Sequence, residues 1–291
     1  MASASLLKRS KKVYSKFETI TSAAQVWQKF ECCTAYGQER NPQNNLSFHF
    51  DILRRSIRAR LTLFGMLLCA ITDRHLLAKS PAAQRDGLIL QARIWAENGV
   101  ELVQLREKGL PISEWTTLAK AMRQAICDVG ASTRLILNAP LAVALAASAD
   151  GIHLPANSAA QILDAMQSDS ASATSVNPVA STPSIGQNGS AHLWVSVSCH
   201  TLEEVHYARE RKADCILFAP VFEKKIEGGR TLAGVGLDAL SAACRAASPV
   251  PVLALGGVTA DNAADCMAAG ATGIAAIRLF HQPPSAWSRL R

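Results

Sequence analysis

Residues 213–240 read ADCILFAPVFEKKIEGGRTLAGVGLDAL, and residues 249–280 read PVPVLALGGVTADNAADCMAAGATGIAAIRLF. Three short apolar runs, Cys215–Ala219, Val252–Leu255 and Ile274–Ile277, alternate here with stretches of helical spacing. Each run ends where glycines and small residues begin. A continuous apolar run, rather than an alternating one, marks a strand buried on both faces, as in a parallel sheet covered by helices. Gly256 and Gly257 come after the second run, and Ile277 and Arg278 close the third. In an eight-stranded α/β barrel, loops in these positions turn backbone N–H groups toward a phosphate dianion.

The same rhythm extends backwards to Met66. Strands are expected at Leu67–Ile71, Leu102–Leu105, Leu135–Leu137, Gly151–Leu154 and Leu193–Val197. Helical patterns lie between them at Pro81–Asn98, Ser113–Val129, Leu141–Ala147, Ala159–Met166 and Leu202–Lys212. Leu237–Ala247 and Asn262–Ala269 complete the set. With the three runs above, this makes eight strands with seven helical patterns between them, and Pro283–Arg291 leaves room for only a short last helix. The fold class is therefore α/β, a (β/α)8 TIM barrel forming a single domain over 66–291. An open doubly wound sheet would carry a glycine fingerprint after its first strand. Thr72-Asp73-Arg74 stands there instead.

Two segments break the rhythm. Residues 168–191, SDSASATSVNPVASTPSIGQNGSA, are polar and nearly uncharged, and are expected to be a flexible insertion. Residues 1–65 form an N-terminal extension. They hold eleven lysines and arginines against four acids, which accounts for the whole net charge of +7. The barrel portion is thus balanced, and the basic excess gives no reason to expect a nucleic-acid partner. The extension is expected to be a disordered tail or a start-site artefact, with Met66 as the true start. Its Ser/Ala content and few acids also suit a transit peptide.

Eight cysteines show neither a C-x-x-C pair nor zinc spacing, so a reduced chain in the cytoplasm is expected, with no metal called for by spacing alone. No apolar stretch reaches the roughly 18 residues of a membrane span, and no membrane partner is expected.

Polar residues gather at the strand ends. Gln104, Arg106 and Lys108 share one side of the second strand's end and form an anion site. Asn138 comes directly after the third strand. Ser196, Ser198 and His200 alternate along the fifth, which puts His200 at the top with an imidazole suited to proton transfer. His153 has a different alternation and reads as a core or rim residue. Residues 223–235, with Lys224, Lys225 and a glycine pair, read as a lid over phosphate.

Five segments together resemble the thiamine phosphate synthase/TenI family: LLCAITDRHLL, GVELVQLREK, ADGIHL, VSVSCHTLEEVHYARERKADCILFAPVF and PVLALGGVTADNAADCMAAGATGIAAI. The resemblance covers residues 66–280 and implies a TIM barrel acting in thiamine biosynthesis on a thiazole phosphate. The family's synthases join hydroxymethylpyrimidine diphosphate to thiazole phosphate, release pyrophosphate and use magnesium. By resemblance, Gln104, Arg106, Lys108 and Asn138 would hold the diphosphate, with Ser198, Lys224 and Lys225 also on the substrate. Gly256, Gly257, Ile277 and Arg278 would hold the thiazole phosphate. Arg278 replaces the family's usual serine.

The departures concern the metal. The synthases carry an aspartate directly after the asparagine and another past strand four, and both bind magnesium. Here those places hold Ala139 and Pro155-Ala156-Asn157-Ser158. Magnesium needs oxygen ligands, mainly carboxylates. Asp73, after strand one, and Glu107 are the candidate replacements. The family's tautomerases lack the acid pair and aromatise a thiazole carboxylate phosphate by moving a proton with a histidine. His200 in Ser198-Cys199-His200-Thr201-Leu202-Glu203-Glu204 matches that setting.

The first expectation is therefore a metal-independent thiazole tautomerase with no cofactor and His200 as its catalytic residue. The second is a thiamine phosphate synthase with Mg2+. The third is a non-catalytic protein that binds thiazole or thiamine phosphate. A homo-oligomer is compatible with all three.

Overall fold

A computed structural model describes residues 65–77, 80–172, 193–225 and 231–290. The expected tail, apart from Gly65, and most of the expected insertion lie outside them. Eight parallel strands close into a barrel: β1 (Leu67–Ile71), β2 (Leu102–Leu105), β3 (Arg134–Leu137), β4 (Gly151–Leu154), β5 (Trp194–Cys199), β6 (Cys215–Phe218), β7 (Val252–Leu255) and β8 (Gly273–Ala276). Each pairs with its sequence neighbours, and β1 closes the ring by pairing with β8 through Leu67↔Gly273 and Ala70↔Ala276. The TIM barrel expected from the rhythm is thus present.

The connecting helices are α1 (Pro81–Glu97), α2 (Ile112–Cys127), α3 (Leu141–Ala146), α4 (Ala156–Ser172), α5 (Leu202–Glu210), α6 (Gly236–Ala247) and α7 (Ala263–Ala268). Their ends obey local chemistry. Ser80 caps α1 by accepting from the Ala83 N–H, with Pro81 at the first helical position. Thr201 and Glu204 form a reciprocal capping box on α5.

Element ends shift by a few residues from expectation, and two differences are larger. Helix α4 runs to Ser172, five residues into the stretch assigned to the insertion, because its Ser/Ala composition does not stop a helix already under way. Between β6 and α6 the basic loop is flanked by a two-residue antiparallel pair, Lys224–Lys225 with Thr231–Leu232. The glycines of that loop lie outside the described residues.

Alternation sorts the strand side chains into two cores. Cys69, Ile71, Leu102, Ile136, Trp194, Cys215, Leu217, Leu253 and Ala275 fill the barrel interior. The opposite faces of the strands meet the helices in a larger core that includes Trp95, Phe280 and Trp287. Trp95 on α1 donates its indole N–H to the Phe280 carbonyl at 2.8 Å. This bond joins the first helix to the segment after the last strand.

At the bottom of the barrel a device repeats. Glu101, Asp150 and Asp214 each stand directly before a strand or its entry residue. Their carboxylates accept the backbone N–H of Leu68, Leu135 and Val195, each at 2.9 Å. Strand entry is where a parallel ladder leaves N–H groups short of partners, and a buried N–H without one is costly.

Candidate active site

The interior register that carries Ile71 and Leu102 continues upward into polar residues. Gln104 is the next inward position on β2, paired with Ile71 and Ile136. It is 2% exposed, and its side-chain oxygen has no partner among the described residues. Arg106 comes after β2 at the mouth, half-buried, with its backbone N–H donated to Thr72 Oγ1 at 2.9 Å. Asn138, also half-buried, stands just past β3 and keeps the ladder going by donating its N–H to Leu105 O. These three residues stand at the upper ends of the paired strands β2 and β3. Lys108 does not join them visibly: it lies exposed in the next turn, with its carbonyl accepting from Arg74 Nη2 at 3.1 Å.

On the β5 side, Ser196 and Ser198 point inward and His153 on β4 sits against both. His153 Nδ1 is 2.9 Å from Ser196 Oγ, and Nε2 is 2.8 Å from Ser198 Oγ. Burial, reinforced by the positive charge of Arg106, pushes the His153 pKa down to about 3. A sequence reading that leaves His153 in the core is right about its burial but misses its partners. The signal was the pairing of β4 with β5, which sets His153 opposite Ser196.

His200 stands exposed just past β5. Its Nδ1 lies 2.6 Å from the Ala219 carbonyl, which can only accept, so Nδ1 carries a proton. In the neutral ring Nε2 then holds the lone pair. The His200 backbone N–H is held by Glu204, which also receives the Thr201 N–H. The imidazole is thereby fixed at both its ring and its backbone.

Across the mouth, Gly256 and Gly257 adopt φ of +93° and +67°, a region that disfavours side chains. A Cβ on Gly256 would lie 2.7 Å from Pro220, and one on Gly257 would lie 2.6 Å from the Glu223 carbonyl. The loop after β6 therefore closes directly over the glycine pair. Asn262 shapes the turn by donating to Gly257 O at 3.1 Å. Ile277, half-buried, and Arg278, exposed, stand past β8 alongside it. Lys224 and Lys225 lie in the short pair above β6.

The two acids that the sequence offers as substitutes near the mouth are already engaged. Asp73 caps the turn at His75 N. Glu107 is buried and linked to Thr72, the Arg74 backbone N–H and, at 3.9 Å, the Arg74 guanidinium. Burial raises its pKa, with the Thr72 and Arg74 bonds opposing that rise. Ala139 and the Pro155–Ser158 segment offer no carboxylate, and among the described residues no three His, Cys, Asp or Glu side chains gather as a metal cluster. This donor set does not fit a carboxylate-held magnesium. The barrel thiols are poor nucleophiles, since burial pushes Cys69 and Cys199 up to about 12. No described helix is long and apolar enough to cross a membrane.

The chain is similar to known proteins over this whole architecture. A family model described as thiamine monophosphate synthase matches residues 68–175 and 180–280. A Geobacter sulfurreducens protein, itself named only provisionally as a thiamine-phosphate synthase, is 36% identical over 231 residues, covering 77% of this chain and 91% of the relative. A thiamine-phosphate synthase of Methanoculleus marisnigri is 35% identical over 188 residues, covering 64% and 76%. A thiamine phosphate pyrophosphorylase structure from Pyrococcus furiosus has the same fold, with a TM-score of 0.54 at 24% identity, covering 78% of this chain and 94% of that one. The barrel, the strand-end residues and these matches agree that the chain belongs to the thiamine monophosphate synthase/TenI family.

Proposed function

We propose that the protein is a thiamine phosphate synthase, joining hydroxymethylpyrimidine diphosphate to thiazole phosphate. The observation that supports this reading is that two separate groups of strand-end residues stand at the mouth, each suited to a phosphate. One is Gln104, Arg106 and Asn138 over β2 and β3. The other is the glycine pair with the Ile277-Arg278 turn over β7 and β8. A coupling enzyme needs both, one for each phosphorylated substrate. The thiazole nitrogen attacks the pyrimidine methylene carbon while the carbon–oxygen bond to diphosphate breaks, and the electron pair leaves with pyrophosphate. Arg106 meets the charge that develops on the departing group, with Lys108 above it in the turn. Gly256 and Gly257 hold the second substrate in line, and orientation of this kind removes much of the barrier of a two-substrate reaction. The synthase names of the relatives support the same reading.

Tautomerisation of a thiazole carboxylate phosphate, the first expectation from the sequence, is kept as a second reading. Two observations favour it: the missing acids at 139 and 155–158, and the fixed His200 with its Nε2 lone pair. In that reaction His200 exchanges a proton with the ring while the glycine arc anchors the phosphate.

A paired turnover assay separates the readings. Thiamine phosphate formation and thiazole aromatisation are each measured with magnesium and with EDTA. Thiamine phosphate formation establishes the coupling reading. Aromatisation alone, unaffected by EDTA, replaces it with the tautomerase.

A further inference from the structure

Away from the mouth, the first halves of α1 and α2 line a cleft of about 500 Å3. Neither group of strand-end residues assigned to the substrates lines it. Its walls are largely apolar. Leu88 on α1 and Leu118 on α2 are buried, Leu110 is half-buried, and Pro81 and Pro111 stand where the two helices begin. A cleft of this size, with apolar walls and a few placed polar groups, is the usual form of a small-molecule site. The polar group here is Glu107, whose side chain is 3% exposed. Its Oε2 accepts the Arg74 backbone N–H at 3.4 Å and lies 3.9 Å from the Arg74 guanidinium. Beyond the Thr72 and Arg74 links described above, Oε1 has no hydrogen-bond partner among the described residues. A buried acceptor left unserved is costly and calls for a partner. The terminal carboxyl torsion is soft, so a small turn of that group is enough to meet a guest in the cleft.

Charge limits what that guest is. The Arg74 guanidinium balances the Glu107 carboxylate, so an added cation meets Arg74 and an added anion meets Glu107. An uncharged guest avoids both penalties. It must bring an N–H for Oε1. Burial also favours the protonated form of Glu107, whose O–H needs an acceptor in turn. A planar ring with an N–H beside a bare ring nitrogen answers either form of the carboxyl. We propose that the cleft between α1 and α2 is a second small-molecule site, taking an uncharged heteroaromatic ring that carries an N–H next to a ring nitrogen, with Glu107 as its hydrogen-bond partner. The leucine walls cover the ring, and Glu107 takes its polar edge. Arg74 also holds the Lys108 carbonyl at 3.1 Å, so the guest shares a neighbour with the turn that follows Arg106. The inference stands whichever reaction the mouth performs.

The experiment uses the full chain with 13C-labelled leucine methyl groups. The probe is 7-azaindole, an uncharged ring with an N–H beside a ring nitrogen. Its control is 1-methyl-7-azaindole, the same ring without the N–H. The methyl signals of Leu88, Leu110 and Leu118 are assigned by their loss in single Leu→Ile variants. The expected result is a saturable shift of these three with 7-azaindole at roughly millimolar concentration, as for a ring of this size. The control should bind about tenfold more weakly, the size of one hydrogen bond to a buried carboxyl. Glu107→Met should bring 7-azaindole down to the level of its control, and Leu110→Trp, which fills the cleft, should abolish both. Arg106→Ala, at the mouth, should leave the shifts in place. Equal binding of the two probes to the wild type overturns the proposal, and so does the absence of saturable shifts at the three leucines. Loss of the shifts in Arg106→Ala places the probe at the mouth and overturns it as well. Should Glu107→Met fail to fold, the pair of probes on the wild type decides.

Discussion

The two ends of the barrel use charge in contrasting ways. At the bottom, Glu101, Asp150 and Asp214 commit their carboxylates to strand N–H groups. At the top, cations and amides lead, and Asp73, Glu107 and Glu204 are each tied to backbone or a neighbouring side chain. The physical reason is the polarity of parallel strands. Entry leaves donors that need an acceptor, whereas the exit loops turn their own donors toward a ligand. A carboxylate placed at the top would compete with an anionic substrate. Residue type alone therefore does not mark a site; the end of the strand it occupies does.

The sharpest way to break this contrast is Arg106→Ala. If the top is the anion site, kcat/KM for thiamine phosphate formation should fall by about 10²–10³-fold, as for loss of one preorganised charge-stabilising donor. The melting temperature should hardly move, and a stability loss without an activity loss would reverse the assignment. Gly257→Ala comes next. Its Cβ must displace the Glu223 carbonyl and Phe222, and overpacking of this kind costs about 1–3 kcal/mol. Taken up as lost thiazole phosphate affinity, that is roughly 5–150-fold in Kd, measurable by calorimetry.

The bottom should answer in the opposite sense. Asp214→Ala leaves the Val195 N–H without its acceptor, which costs about 1–3 kcal/mol of stability. Denaturant titration should show that loss while KM for both substrates stays within about twofold, the range of a remote surface change.

The remaining effect is one of pH. His153 binds its proton less readily in the folded chain, at about 3, than in the unfolded chain, near 6.5. Its contribution to stability is thus whole above about pH 6.5 and is lost as pH falls toward 3, at up to about 1.4 kcal/mol per unit. Glu107 works the other way: its raised pKa favours the fold at low pH, and that contribution fades as pH rises through the folded value. Urea titrations of His153→Gln and Glu107→Gln should flatten the acid-side slope in the first and steepen it in the second.

Much of this was legible in the sequence because each strand announces itself twice, by an apolar run and by the glycines or polar residues at its end. Gly256-Gly257 after β7 and Gln104–Arg106 at the end of β2 could be placed without coordinates. The order of the two activities could not, since the retained Q-x-R-x-K and the missing acids point to different members of one family. His153 escaped because its role depends on which strand lies beside it, and register is not written in either strand alone. The bottom acids were visible as single charges, yet an acid at the entry of β2, β4 and β6 is a periodic signal that a count by strand would have caught. Helix α4 ran past its expected end because Ser and Ala suit either a helix or a loop.

The bond from Trp95 to Phe280 has a consequence for how the molecule is made. Its partners are 185 residues apart in the chain. Contacts of such separation form late, because a long loop must close before they can contribute. The first helix therefore leaves the ribosome with its indole unanchored and waits for almost the entire barrel to be synthesised. Trp95 should then act as a natural clock for ring closure, its fluorescence changing only in the final stage of refolding.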